Sequence, residues 1–87
     1  MDEALALEQL LDLAQRLDVR VCREWLGGEG GGLCRLKGQY VLYVDEAASI
    51  NEQAARTAAQ MMLLPGLDEI YISPQLRQFI EDAGEQP

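Results

Sequence analysis

The chain has 87 residues, of which 48% are apolar and 25% charged, and its net charge is −8. That length suits one domain spanning residues 1–87, and the apolar content argues against disorder. The acidic excess weighs against broad binding to nucleic acid or to anionic membranes, whose affinity comes from Lys and Arg at phosphates.

The first element expected is a helix between Asp2 and Leu17. Ala6, Leu7, Leu10, Leu11, Leu13, Ala14 and Leu17 recur at i, i+3, i+4 spacing, and the acids at its start suit the positive helix end. Its apolar arc covers nearly half the circumference. Either the helix is covered from two directions, or it also meets a partner. Glu8, Gln9 and Asp12 interrupt the Leu-rich run, so no signal peptide is expected. No run approaches the ~18 apolar residues of a membrane span. The expected location is the cytoplasm, with Cys22 and Cys34 reduced.

From Asp18 to Asp45 the apolar period becomes two, which predicts strands at roughly 18–25, 33–37 and 40–45. Gly38-Gln39 reads as a tight turn between the second and third. Five glycines in six residues, 27–32, separate the first and second. The simplest arrangement is an antiparallel meander, with Cys22 and Cys34 facing each other across the glycine-rich loop. Ser49-Ile50-Asn51-Glu52 is a capping box. The helix it opens runs to about Leu64 and stops at Pro65-Gly66, with Ile50, Ala54, Ala58 and Met61 inward against the sheet. Residues 69–73 (EIYIS) predict a short fourth strand. Ser73-Pro74 then opens a last helix, with Leu76, Phe79, Ile80 and Ala83 inward and Gly84 at its end. Glu85-Gln86-Pro87 is expected to fray. The expected fold is α+β in the order αβββαβα, a small antiparallel sheet covered by helices.

Histidine is absent, which removes the usual general base and the commonest metal ligand. Two cysteines outside any CxxC pair do not complete a zinc site, so no metal or cofactor is expected. The glycine run does not lead into Lys-Ser/Thr and a helix, as a phosphate loop does. It reads as a flexible loop, or as a loop whose amides bind an anion or admit close approach of another chain. Asp45 and Glu46 read as solvated turn acids or, less simply, as catalytic carboxylates at a strand end. Met61-Met62 reads as core filler, and Trp25 as a core edge or a ligand platform.

The stretch from Gly27 to Arg77 (GGEGGGLCRLKGQYVLYVD, the capped helix, then IYISPQLR) resembles a family of short uncharacterised bacterial proteins, a resemblance that implies no activity. Arg56-Thr57-Ala58-Ala59-Gln60-Met61-Met62-Leu63-Leu64 is also similar to the helix of ImmA/IrrE-type zinc peptidases, where a strand pair precedes Arg-x-Thr-x-Ala-His-Glu-x-x-His. Gln60 stands at the first histidine, Met61 at the glutamate and Leu64 at the second histidine. The resemblance therefore implies that the metal site and the peptidase chemistry are missing.

Two functional readings follow. The first is a non-enzymatic interaction or self-assembly module, its partner itself or another protein, with an interface on Leu7, Leu11 and Ala14. The second is a small-ligand or anion-binding domain using Gly28, Gly30 and Gly31 with Arg23, Arg35 and Lys37; five of the seven basic residues fall between positions 16 and 37. An enzyme would have to rely on Asp45 and Glu46, or on a cysteine.

Overall fold

A computed structural model describes residues 1–84; the expectation for Glu85-Gln86-Pro87 lies outside the described residues. Helix α1 spans Glu3–Arg16, strands β1 Arg20–Glu24, β2 Gly32–Leu36 and β3 Gln39–Asp45, helix α2 Ile50–Met61 and helix α3 Pro74–Gly84, with a 3-10 turn at Leu67–Glu69. Side chains close the helix starts as their sequences suggest. Asp2 Oδ1 accepts from the Ala4 amide at 3.3 Å, Ser49 Oγ from Glu52 at 3.1 Å, and Ser73 Oγ from Leu76 at 3.3 Å.

The sheet is mixed, not an antiparallel meander. Its order is β1-β3-β2. β1 runs parallel to β3, with Cys22 beside Tyr43, while β2 is antiparallel to it, with Cys34 beside Val41. The physical reason lies in the loop of residues 25–31 between β1 and β2. Rather than closing a hairpin, it arches over the end of β3 at Asp45. Crossing two strand spacings of about 4.8 Å each is within reach of seven residues. Cys22 and Cys34 are thereby held on opposite edge strands about 10 Å apart. They do not face each other, and no bond between them is geometrically possible. The β2–β3 turn is Lys37-Gly38, one residue earlier than expected. Leu36 pairs with Gln39, and both turn residues have positive φ, 53° and 82°, the requirement of a two-residue type I′ turn.

Among the described residues there is no fourth strand. Residues 70–73 pair with no strand. Ile72 is drawn into the core instead, in the same cluster as Leu76 and Ile80 of α3. The order is thus α-β-β-β-α, then a 3-10 turn and α3, still α+β.

All three helices lie on one side of the sheet. α2 packs mainly on α1, less on β2 and β3, and α3 packs on α2. Leu42, Val44, Val21, Leu33 and Tyr40 face these helices within one contiguous apolar cluster. The wide arc of α1 is therefore covered from two directions within the chain. Leu7, Leu11 and Ala14, expected at an interface, are only 1%, 6% and 0% exposed and belong to the core. That expectation is corrected: α2 covers the face left over for a partner. Ala54, Ala58 and Met61 are fully buried, but in a helix that packs mainly on α1 rather than on the sheet as expected, whereas Ile50, at the first position of α2, is exposed, as is Met62. Ala58→Leu should overpack this contact and cost about 1–3 kcal/mol. Chemical denaturation checks it, and an unchanged midpoint would place that helix face outside the core.

Candidate functional site

The glycine-rich arch has few backbone partners within a sheet, so its amides need acceptors from elsewhere. Asp45, the last residue of β3, supplies them. Its Oδ1 accepts from the amides of Leu26 and Ala47, each at 2.9 Å, and its Oδ2 accepts from those of Gly28 at 2.7 Å and Gly30 at 2.8 Å. The carboxylate lies under the middle of the arch and is buried. Burial alone pushes its pKa up. The four backbone donors of Leu26, Ala47, Gly30 and Gly28 push it down and prevail, so the group sits below its ordinary value. Asp45 is thus neither a solvated turn acid nor a carboxylate open to substrate.

Glycine is required where the arch closes on the strand. Gly31 has φ +99°, and a Cβ there would stand 3.1 Å from the Tyr43 carbonyl oxygen, so a side chain meets both strain and backbone. The arch is also tied to α2. Arg56 donates to the Gly28 carbonyl at 2.7 Å and to Glu52 at 2.8 Å, and the Leu33 amide donates to Gln60 Oε1 at 2.9 Å. The loop is fastened on two sides, which opposes its reading as merely flexible.

The residues expected to bind a ligand are not brought together. Gly28 and Gly30 lie in the arch with their amides bonded to Asp45, and Gly31 lies beside them. Arg23 pairs with Glu8 at 3.0 Å. Arg35 stacks 5.4 Å over the Tyr40 ring. Lys37 sits in the hairpin turn, at the other end of β2 from the arch, roughly 15 Å away by strand rise. The anion that this loop holds is the chain's own carboxylate. The cation that reaches the loop is Arg56, singled out in the sequence only by its place in the stretch similar to the zinc peptidase helix.

Between the arch, β3 and α2 lies a crevice of about 120 Å³. Its floor is Leu42 and Val44, and its helix wall is Gln53, Arg56, Thr57 and Gln60, which share one helix face at i, i+3, i+4 and i+7. Gln53 and Thr57 are buried polar residues. Gln53 Nε2 donates to the Ala48 carbonyl at 2.8 Å, which fixes the amide's orientation. Its Oε1 is buried and has no hydrogen-bond partner among the described residues. Sequence reasoning missed this stripe because glutamine and threonine at helical spacing look like a solvated face. Of the positions compared with the zinc peptidase helix, Met61 and Leu64 are core residues and Gln60 ties down β2.

The fold and site define a small two-layer α+β domain, with a carboxylate-braced glycine arch beside a polar crevice. No known family, curated protein or solved structure matches the chain. No helix among the described residues is long and apolar enough to cross a membrane.

Proposed function

We propose that the chain is a non-enzymatic interaction module that pairs with a second copy of itself through the open face of its sheet. One observation carries this reading. By register the sheet face opposite the helices carries Tyr43, Cys22, Cys34 and Leu36 around Val41, which is itself buried, and none of these belongs to the cluster between sheet and helices. Directly after β1, Trp25 is 77% exposed, so of its two readings, core edge or ligand platform, it does not sit as a core edge. A contiguous apolar face of this kind on a small domain usually marks a contact surface.

Charge placement favours a second copy as the partner. Arg20 and Glu24 lie on this same face of β1, two positions either side of Cys22. A two-fold axis near Cys22 sets Arg20 of each copy against Glu24 of the other, and such closed pairing is the commonest assembly. The net charge of −8 on each copy opposes association, but charges beyond about 8–10 Å are screened at physiological salt. The separation of the two cysteines by β3 favours a reducing compartment, the cytoplasm.

Light scattering at micromolar concentration tests the reading. The expected mass is twice 9.7 kDa. Tyr43→Arg, a change on the open face that leaves the core intact, should weaken the dimer at least about tenfold by placing like charges at the contact. A wild-type mass of one chain overturns the pairing, and a dimer indifferent to Tyr43→Arg overturns its surface.

A further inference from the structure

We propose that the groove where α1, α2 and α3 meet is a docking site for a basic segment of another protein, which lays an apolar side chain on Phe79 and brings Lys or Arg side chains to Glu3 and Asp82. The groove is on the helix side of the sheet, so this does not depend on the pairing proposed above.

Shape is the first ground. Phe79 and Ala83, one turn apart on α3, and Ala55 of α2 form the apolar lining. All three are only part-buried, so the chain leaves apolar surface here uncovered. The groove measures about 400 Å³. That falls within the roughly 300–1,000 Å³ of sites that take drug-sized ligands, room for a few side chains.

Charge is the second ground. Glu3, Glu52 and Asp82 stand around this lining, and no Lys or Arg among the described residues shares it. Of the three acids only Glu52 has an ion pair, with Arg56 at 2.8 Å. Glu3 and Glu52 lie in the first turns of α1 and α2, where the helix dipole favours an acid. Asp82 has no such reason. It lies near the end of α3, whose last turn carries no base, and there the dipole disfavours a carboxylate. Its one hydrogen bond, from Gln78 Nε2 to Oδ1 at 2.8 Å, comes from a neutral group. An external cation accounts for Asp82 where helix stability does not.

The two grounds together select the occupant. A purely apolar partner would bury these carboxylates unpaired, and an anionic one is repelled by them. A segment with an apolar side chain between basic ones covers the lining and neutralises the rim. A second copy fits less well. Its Arg20, Arg23 and Arg35 lie on the sheet, and a sheet-on-groove contact joins unlike surfaces, so copies would run on into rings or filaments.

The probe is the peptide acetyl-Lys-Leu-Lys-Lys-Leu-Lys-amide, titrated against the full chain and followed by ¹H–¹⁵N correlation spectra. Saturable shifts are expected at the amides of Asn51, Ala55, Phe79, Asp82 and Ala83. Glycine in place of the peptide's leucines, or glutamate in place of its lysines, should abolish them. Asp82→Lys, at an exposed position, should weaken binding at least about tenfold by setting like charges together. The same substitution should raise the melting temperature, because it replaces an acid with a base at a helix end. Asp82→Asn should move both readouts in the same directions by less. Absence of saturable shifts overturns the proposal, as does equal binding by Asp82→Lys. A melting temperature lowered in both variants gives the carboxylate a structural reason and overturns the second ground. Equal binding of the glycine peptide means general attraction to an acidic surface and overturns the groove. Shifts at the same amides on concentrating the chain alone assign the groove to a second copy and overturn the partner.

Discussion

Leu11→Glu should unfold the chain. Leu11 is 6% exposed and packs within the same cluster as Leu7, Leu10 and Ala14 of α1 and Ala54 and Ala58 of α2. Removing the leucine from a core costs about 2–5 kcal/mol. The glutamate then has to be buried without a partner, take up a proton, or pull α1 away from α2. The combined loss is at least about 4 kcal/mol, comparable with the whole stability of a domain this small. Far-UV circular dichroism should show a largely unfolded chain at 25 °C. Leu5→Glu is the control: Leu5 lies on the same helix, is 51% exposed, and should shift stability by no more than about 0.5 kcal/mol. A Leu11→Glu protein that melts cooperatively at the wild-type temperature would show that this face of α1 is open to solvent. Had the interface lain on α1, the same substitution would have separated two folded chains.

Asp45→Asn should release the glycine arch. Four amides converge on the two carboxylate oxygens. Asparagine keeps one oxygen and turns an NH₂ group toward two of those donors, leaving N–H groups facing N–H groups. The denaturation midpoint should fall. The arch amides of Leu26, Gly28 and Gly30 should lose their protection from hydrogen exchange. The pH dependence follows in sign. The folded-state pKa of Asp45 lies below its ordinary value, so its contribution is complete above about pH 4 and is lost as pH falls through the depressed value. Wild-type stability should therefore drop on acidification below about pH 4, and the Asp45→Asn protein should show a shallower drop. Equal slopes in the two proteins would mean that the carboxylate is not the acceptor holding the arch.

These two substitutions sit where the chain's organisation was least legible. Leu11 was readable as apolar and helical, but whether its face met α2 or another molecule was not. That depends on how closely α1 and α2 approach, which small residues such as Ala54 and Ala58 permit and no local pattern states. Asp45 was visible as an acid at a strand end. Its role depends on the arch crossing directly above it, a consequence of strand order. The polar stripe Gln53, Arg56, Thr57 and Gln60 was likewise visible only as an amphipathic face, because the glycine arch that covers it is distant in sequence.

The sequence by itself determined the local elements. Helical spacing marked α1, Ser49 and Ser73 marked the starts of α2 and α3, and alternation marked β1, β2 and β3. Each depends on interactions within a few residues, so a short window carries the information. Only the tertiary structure decided the strand order, the unpaired course of residues 70–73, the burial of Leu7, Leu11 and Ala14, and the bracing of the glycine arch by Asp45. Period-two alternation specifies a strand but not its neighbour, because parallel and antiparallel partners both satisfy it. What chose β1-β3-β2 was the reach of a seven-residue loop over the end of β3, and a carboxylate at that end to receive its amides.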